Sequence, residues 1–347
     1  MTVEQSLDIP FPSVSLAHTP TPLESMPNLT RLLAGPRIWI KRDDCTGLAM
    51  GGNKARQLEY YIGDALQQGA DTLLTTGAVQ SNHVRMTIAA ARKMGLKVEV
   101  QLEHRVDGRA TEYYQSGNPM LMKLMGAKIH EYPVGEDEAG ADNALYERAE
   151  KLKEQGARPY VIPLSGMHTP YGALGYVKAA VEMLQQMSES EISVDAIVLA
   201  TGSANTHAGL LFGLRTLGSS IKVYGQCVRR RADLQCQRVL DKTAALAKML
   251  ELDDCVAAED IYVDDSMLAP GYGQLNQPVK DAIQMTAHAE GILLDPTYTA
   301  KAMAGLIALV RKNTWSSNQT VIFLHTGGTP ALFGYPELLD EELGPEL

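Results

Sequence analysis

Met50-Gly51-Gly52-Asn53-Lys54-Ala55-Arg56-Gln57-Leu58-Glu59-Tyr60 is the stretch whose reading decides the fold. Upstream, Ile38-Trp39-Ile40 is an apolar run that reads as a strand. Downstream, Leu58, Tyr61, Ile62 and Leu66 recur at helical spacing. The glycine pair is then a strand-to-helix turn, with Lys54 at the start of the helix. A cation is disfavoured there because the helix dipole is positive at that end. A lysine that breaks this local rule is a candidate functional residue. In an apolar cleft its pKa should fall, leaving a neutral amine able to form a Schiff base. A solvated surface lysine is the other reading of the same stretch.

The chain has 347 residues, enough for two domains or one large α/β domain. At 45% apolar and 21% charged residues it can build a substantial core. A net charge of −10 argues against a nucleic-acid binder but leaves room for a local anion pocket. Cys45, Cys227, Cys236 and Cys255 form no CxxC pair, so no zinc or redox motif is expected, and they read as buried small hydrophobes. Met1 to Gln5 lacks the basic and apolar regions of a signal peptide. No stretch is apolar for long enough to cross a bilayer. The expectation is a cytoplasmic protein with no membrane partner.

Read in order, residues 8–36 are proline-rich and look like an irregular surface arm. Strands are expected at 71–77, 96–102, 127–132, 160–163, 195–200, 221–225 and 321–325, with helices between most of them. Residues 134–142 read as an exposed acidic loop. The alternation predicts mostly parallel sheets with helices on both faces. Ligands in such sheets bind beyond the carboxyl ends of strands.

Several strand-end loops carry small polar residues. Thr201-Gly202-Ser203-Ala204-Asn205-Thr206 joins an apolar strand to a helix start, where N–H groups, hydroxyls and the dipole can cradle a phosphate. It is neither GxGxxG nor a Walker motif, so a nucleotide triphosphate is not expected. Ser81-Asn82-His83 is placed similarly and suits a carboxylate. Both loops are also what ordinary helix caps look like. Thr326, after the last strand, has a hydroxyl that can meet a heteroaromatic nitrogen without charging it. Tyr272 and Tyr298 sit in loops. His168, His207 and His325 lack metal-ligand spacing, so no metal is expected.

Together, Lys41-Arg42-Asp43-Asp44, Gly51-Gly52-Asn53-Lys54, Gln80-Ser81-Asn82-His83, Ala173-Leu174-Gly175-Tyr176, Thr201-Gly202-Ser203, Ala269-Pro270-Gly271-Tyr272-Gly273, Leu294-Asp295-Pro296 and His325-Thr326-Gly327-Gly328 resemble the D-cysteine desulfhydrase / 1-aminocyclopropane-1-carboxylate deaminase family. The resemblance runs from about residue 15 to 336. It implies the two-domain, tryptophan-synthase-β-like fold of fold-type II enzymes that use pyridoxal 5'-phosphate. A large domain (1–56 and 165–347) would hold a small inserted one (57–164), and the chain would form a homodimer.

The resemblance also implies roles. Lys54 is the Schiff-base lysine. Thr201, Gly202, Ser203, Ala204, Asn205 and Thr206 hold the cofactor phosphate, Asn82 lies near its ring hydroxyl, and Thr326 near its ring nitrogen. Ser81, Asn82 and His83 hold the carboxylate of a small amino-acid substrate. Tyr272 and Tyr298 face that substrate and assist proton transfer. Asn205 stands where the family carries glycine, and asparagine tolerates the positive φ expected there. Residues 165–171 depart further, gaining bulk and the imidazole of His168, which either meets an anionic leaving group or packs. The implied reaction is β-elimination, with D-cysteine giving pyruvate, sulfide and ammonia. The rival is L-cysteate giving sulfite, and a cyclopropane deaminase is third. An amino-acid-binding sensor of the same fold is the non-enzymatic alternative.

Overall fold

The computed structural model describes residues 7–164 and 168–338. Its strands are β1 (Leu23–Ser25), β2 (Arg37–Lys41), β3 (Thr72–Ala78), β4 (Lys97–Glu103), β5 (Lys128–Tyr132), β6 (Pro159–Ile162), β7 (Ala196–Thr201), β8 (Lys222–Cys227), β9 (Ile261–Asp264) and β10 (Thr320–Leu324). Its helices are α1 (Pro27–Leu33), α2 (Lys54–Gln67), α3 (Asn82–Lys93), α4 (Thr111–Gln115), α5 (Asn118–Leu124), α6 (Glu138–Glu154), α7 (Tyr171–Glu189), α8 (Asn205–Thr216), α9 (Ala232–Leu250), α10 (Gln277–Glu290) and α11 (Thr299–Arg311).

Two sheets form. One has the order β1-β2-β10-β7-β8-β9, the other β5-β4-β3-β6. Every pairing is parallel except β1 with β2. β10 enters last in sequence yet lies between β2 and β7, so three neighbouring strands end side by side. The turns after them carry Lys54, Thr326 and the 201–206 loop. This juxtaposition of loops from distant parts of the chain is why a parallel sheet makes a site at its carboxyl edge.

Helices cover both faces of the first sheet. α7 and α8 share one core with Ile197, Leu199 and Ile322, and α10 and α11 share the other with Val198, Val321 and Phe323. Alternate residues of β7 and β10 thus feed opposite cores, which explains their unbroken apolar runs. The second sheet packs against α2 and α3 through Leu58, Ile62, Val84 and Ile88, all fully buried.

Four expectations needed revision. The proline-rich arm contains β1 and α1, with Pro27 in the first turn, where a missing N–H costs nothing. A three-residue strand shows no alternation to read. α4 and β9 were not expected. The 134–142 loop gives way at Glu138 to α6, whose first free N–H groups are capped by Asp137. Finally, the cysteines are not uniformly buried: Cys45 is exposed.

The start of α2 is fixed by buried charge. Asp43 accepts from Arg56 Nε and Nη2 (both 2.9 Å), Thr21 Oγ1 (2.7 Å) and the Tyr176 hydroxyl. Glu182 of α7 accepts from Arg56 and Lys41. Two cations therefore meet two carboxylates. Burial alone would raise the Asp43 carboxyl, but the Arg56 guanidinium overcomes it and holds the group below the usual carboxylate range.

Replacing Asp43 by Asn should leave Arg56 with Glu182 as its only carboxylate partner among the described residues and cost about 3–5 kcal/mol in urea unfolding. Because the folded pKa is lowered, the stabilisation is present above the unfolded carboxylate value of about 4 and lost as pH falls below it. The gap between wild type and Asp43→Asn should therefore narrow in acid.

Candidate active site

Lys54 is the first residue of α2, with Asn53 at the cap position. The turn before it is held in three ways. Thr46 Oγ1 both accepts from Gly52 N and donates to Gly52 O, each at 2.8 Å. Asn53 N donates to Thr326 O at 3.0 Å. Gly51 has φ +71, and a side-chain carbon there would fall 1.8 Å from the Asp44 carbonyl. A Cβ on Gly327 would similarly meet Gly52 Cα at 2.6 Å. The close approach of the turns after β2 and β10 thus requires glycine at 52 and 327.

Lys54 lines three adjoining cavities of about 480, 510 and 370 Å³. Lys54 is half-buried, and among the described residues its amine makes one long contact, to Gln57 Oε1 at 3.3 Å. Burial lowers its pKa to about 8. The sequence predicted this direction for a lysine in an apolar cleft, and burial is its cause.

The 201–206 loop faces the same space. Thr201 ends β7, and Asn205 and Thr206 open α8. Ala204 carries the positive φ, at +70°, while Asn205 is already helical. This corrects the expectation for Asn205, whose amide instead reaches the Tyr61 hydroxyl. Thr206 Oγ1 accepts from Asn53 Nδ2 and Gln57 Nε2, both at 2.9 Å, so its own hydrogen is left to donate elsewhere. With the first-turn N–H groups of α8, which have no intrahelical acceptor, this is a donor set suited to a phosphate.

Ser81 caps α3, its Oγ accepting from Val84 N at 3.2 Å. The Asn82 and His83 N–H groups begin that helix and have no helical carbonyl to reach. Asn82 Oδ1 accepts from Arg85 Nη1 and Asn118 Nδ2, both at 2.9 Å, which fixes the amide so that Nδ2 is the free donor. Thr75 Oγ1 donates to Ile162 O at 2.8 Å, so His83 Nε2, 3.0 Å away, must be the donor to Thr75. The ring is neutral, its pKa pushed down to about 3 by burial and by Lys54. His83 can therefore offer an anion its backbone N–H, but its free ring nitrogen only accepts.

Tyr272 and Tyr298 lie with their hydroxyls 2.5 Å apart. Burial raises both, and Arg105, whose guanidinium sits 5.5 Å from the Tyr272 ring centre, opposes the shift. Asp295 sets Tyr298 in place by accepting from the N–H groups of Thr297, Tyr298 and Thr299. Lys301 steadies the Tyr272 loop by donating to Leu268 O and Gly271 O. Thr326 lines the first cavity beside Lys54 and Asn82.

His168 is half-buried, 3.2 Å from Asp142, and lines the cavity containing Lys242 rather than the one containing the tyrosines. The preceding Ser165, Gly166 and Met167 lie outside the described residues. Sequence reading assigned no role to Asp295, Lys301, Arg85 or Arg105. Asp295 alone left a signal, as an acidic residue between an apolar run and a helix. No group of three or more His, Cys, Asp or Glu able to hold a metal occurs among the described residues. No helix among them is long and apolar enough to cross a membrane.

A cradle of N–H groups asks for a phosphate, and a neutral amine facing it asks for a carbonyl carbon. A donor amide and a threonine hydroxyl nearby suit a ring bearing an oxygen and an unprotonated nitrogen. Enzymes built this way take an aromatic aldehyde phosphate as cofactor. The chain belongs to the pyridoxal-phosphate-dependent enzyme family, whose model matches residues 14–327. Its cofactor is pyridoxal 5'-phosphate.

The D-cysteine desulfhydrase of Salmonella paratyphi C (strain RKS4594) is 44% identical over 325 residues, covering 94% of this chain and 96% of that one. The Klebsiella pneumoniae enzyme of that name is 45% identical with the same coverage. A crystal structure described as an ACC deaminase homologue superposes with TM-score 0.84 at 38% identity, covering 95% and 96% of the two chains. O-ureido-L-serine synthase shares the fold, with TM-score 0.67 at 16% identity.

A lysine with pKa near 8 should react with the cofactor aldehyde as the neutral amine. The rate of cofactor uptake by apoenzyme, followed by visible absorbance, should rise with pH and level off above about 8. An ordinary lysine would keep rising towards about 10.4.

Proposed function

We propose that the chain is a β-eliminating lyase acting on a small amino acid with sulfur on its β-carbon, with D-cysteine as substrate and pyruvate, sulfide and ammonia as products. The observation that carries this reading is the convergence of Lys54, the α3 N-terminus and the Tyr272–Tyr298 pair on one cavity system. The identity with D-cysteine desulfhydrases supports the choice of substrate.

In this reading Thr201 through Thr206 grip the cofactor phosphate, Asn82 Nδ2 donates to its ring oxygen, and Thr326 meets its ring nitrogen. Pyridoxal phosphate, when bound, supplies an electron sink for the carbanion left at the substrate Cα. Ser81 and the N–H groups of Asn82 and His83 hold the substrate carboxylate. Lys54, as a neutral amine, would take the Cα proton. Tyr298 and Tyr272 sit where a proton can pass to the departing sulfur, their short hydrogen bond keeping one hydrogen available. L-cysteate is the second reading, favoured by Arg105 and Arg229, which line the tyrosine side of the cavity.

We also read residues 57–164 as a small domain inserted into a large one (1–56 and 165–347). The support is that all four strands of the second sheet fall between Thr72 and Ile162. A homodimer in the cytoplasm is the further expectation from the family.

Assaying sulfide, sulfite and 2-oxobutyrate from both enantiomers of cysteine and cysteate, and from the cyclopropane amino acid, tests the assignment. D-cysteine should release sulfide well above the free-cofactor rate, and its failure to do so removes the leading substrate. Tyr298→Phe and Tyr272→Phe should each lower kcat by about 10²–10⁴-fold. The cofactor absorbance of both variants should match wild type, since neither hydroxyl is assigned to holding the cofactor.

A further inference from the structure

The cavity that joins Lys54 to Ser81 and the two tyrosines is also lined by Arg105, Arg229 and Glu138. Both guanidiniums are nearly fully buried, with side chains 5% and 7% exposed. Burying a charge is costly unless it is paired or has another use.

Arg105 is anchored from behind. Its Nε and Nη2 donate to Glu103 at 2.9 and 2.8 Å, and Glu103, fully buried, also accepts from Thr76 Oγ1. Its Nη1 has no partner among the described residues. Arg229 donates through Nε to Glu136 at 2.7 Å and through Nη1 to Glu138, leaving Nη2 unused among the described residues. Both arginines lie close enough to Tyr272 to oppose the rise of its pKa.

The charge does not close here. Glu138 is shared by Arg229, Arg230 and Arg238. Adding half-exposed Glu136 still leaves three guanidiniums on two carboxylates. The network behind Asp43, in the same chain, balances two cations with two carboxylates. In a chain of net charge −10, an unmatched concentration of buried cations marks a place for an anion. The one surplus charge is met by the cofactor phosphate at the 202–206 loop, where Arg230 Nη1 donates to Gly202 O, and what remains for a second anion is the pair of unused donors, Arg105 Nη1 and Arg229 Nη2, on the wall of the cavity. Arg105 comes from the second sheet, beyond the tyrosines, and belongs to a different group.

If the substrate carboxylate lies on the α3 N-terminus and its amine points towards Lys54, its β-substituent is directed at this remaining space. We propose that Arg105 and Arg229 form an anion subsite for the group on the substrate β-carbon, which meets the sulfur of D-cysteine as it departs as hydrosulfide and also admits an ionised oxyacid such as a sulfonate. This rests on the β-elimination reading above and deepens it.

The step balances without an oxidant. The Cβ–S bond breaks with its electron pair going to sulfur, while the pair from the broken Cα–H bond forms the Cα–Cβ double bond. A β-sulfonate plus water then gives pyruvate, ammonium and hydrogen sulfite. The sulfonate carries one negative charge before the bond breaks and sulfite carries two as it leaves. Fixed guanidiniums are therefore worth most in the transition state.

The test uses cofactor-loaded wild type, Arg105→Gln, Arg229→Gln and Arg105→Lys. Pyruvate formation is measured from cysteate and from β-chloroalanine, each enantiomer separately. The kcat/KM ratio of cysteate to chloroalanine should fall by roughly 10–150-fold in both glutamine variants, the range for lost charged hydrogen bonds. Arg105→Lys keeps the charge and should recover part of it. Ethanesulfonate, which lacks amine and carboxylate, should bind wild-type holoenzyme by titration calorimetry and lose affinity in the glutamine variants. A ratio that stays within about threefold of wild type, or sulfonate binding unchanged in both variants, overturns the subsite. If wild type releases no pyruvate from any of these amino acids, the β-elimination reading fails. The calorimetry then still decides whether the anion subsite exists.

Discussion

The Asp43–Arg56 ion pair determines where α2 begins, and the cavity depends on that position. Arg56 lies two residues past Lys54 and is clamped between Asp43, Glu182 and Thr21. That clamp ties β2 and the first turn of α2 to α7. Lys54 then has little choice but to rise into the space above β10 and β7. On its other side the turn is pressed against Gly327, where no side chain would fit. The position of the amine is therefore set by packing and paired charge around it, with no strong bond to the amine itself.

Removal from water runs through the chemistry of the site. It lowers Lys54 and His83, so that near pH 8 His83 is neutral and Lys54 is neutral in about half of the molecules, and it raises the tyrosines so that they stay protonated. One physical cause thus leaves a less basic amine, an uncharged imidazole and two protonated phenols. Where charge is needed it is paired, as at Arg105 with Glu103. Where pairing runs short, as around Glu138, the surplus faces the cavity.

Much of this was legible before any coordinates. Strand–helix alternation gave parallel sheets, and a lysine at the wrong end of a helix stood out by breaking a rule. The 201–206 and 81–83 loops were visible as small polar residues between apolar strands and helix starts. What sequence pattern could not supply was side-chain geometry. Ala204 rather than Asn205 bears the left-handed turn, because the helix starts at Asn205, two residues earlier than the 201–206 loop reading assumed. Arg105 lies in a polar loop with no motif around it, and only the pairing of Glu103 with Thr76 shows it to be buried. The tautomer of His83 follows from the single hydrogen of Thr75, a constraint between strand, helix and a second strand. Short elements such as β1 and β9 escaped because three or four residues carry too little periodicity.

The central claim is that Lys54 carries the cofactor. Lys242 tests it well, because burial also lowers its pKa to about 8 and it lines an adjoining cavity. Borohydride reduction of the holoenzyme, followed by peptide mass mapping, gives the answer directly. The account predicts a reduced pyridoxyl phosphate adduct on Lys54 and none on Lys242. An adduct on Lys242 or on another lysine, with Lys54 unmodified, would contradict it.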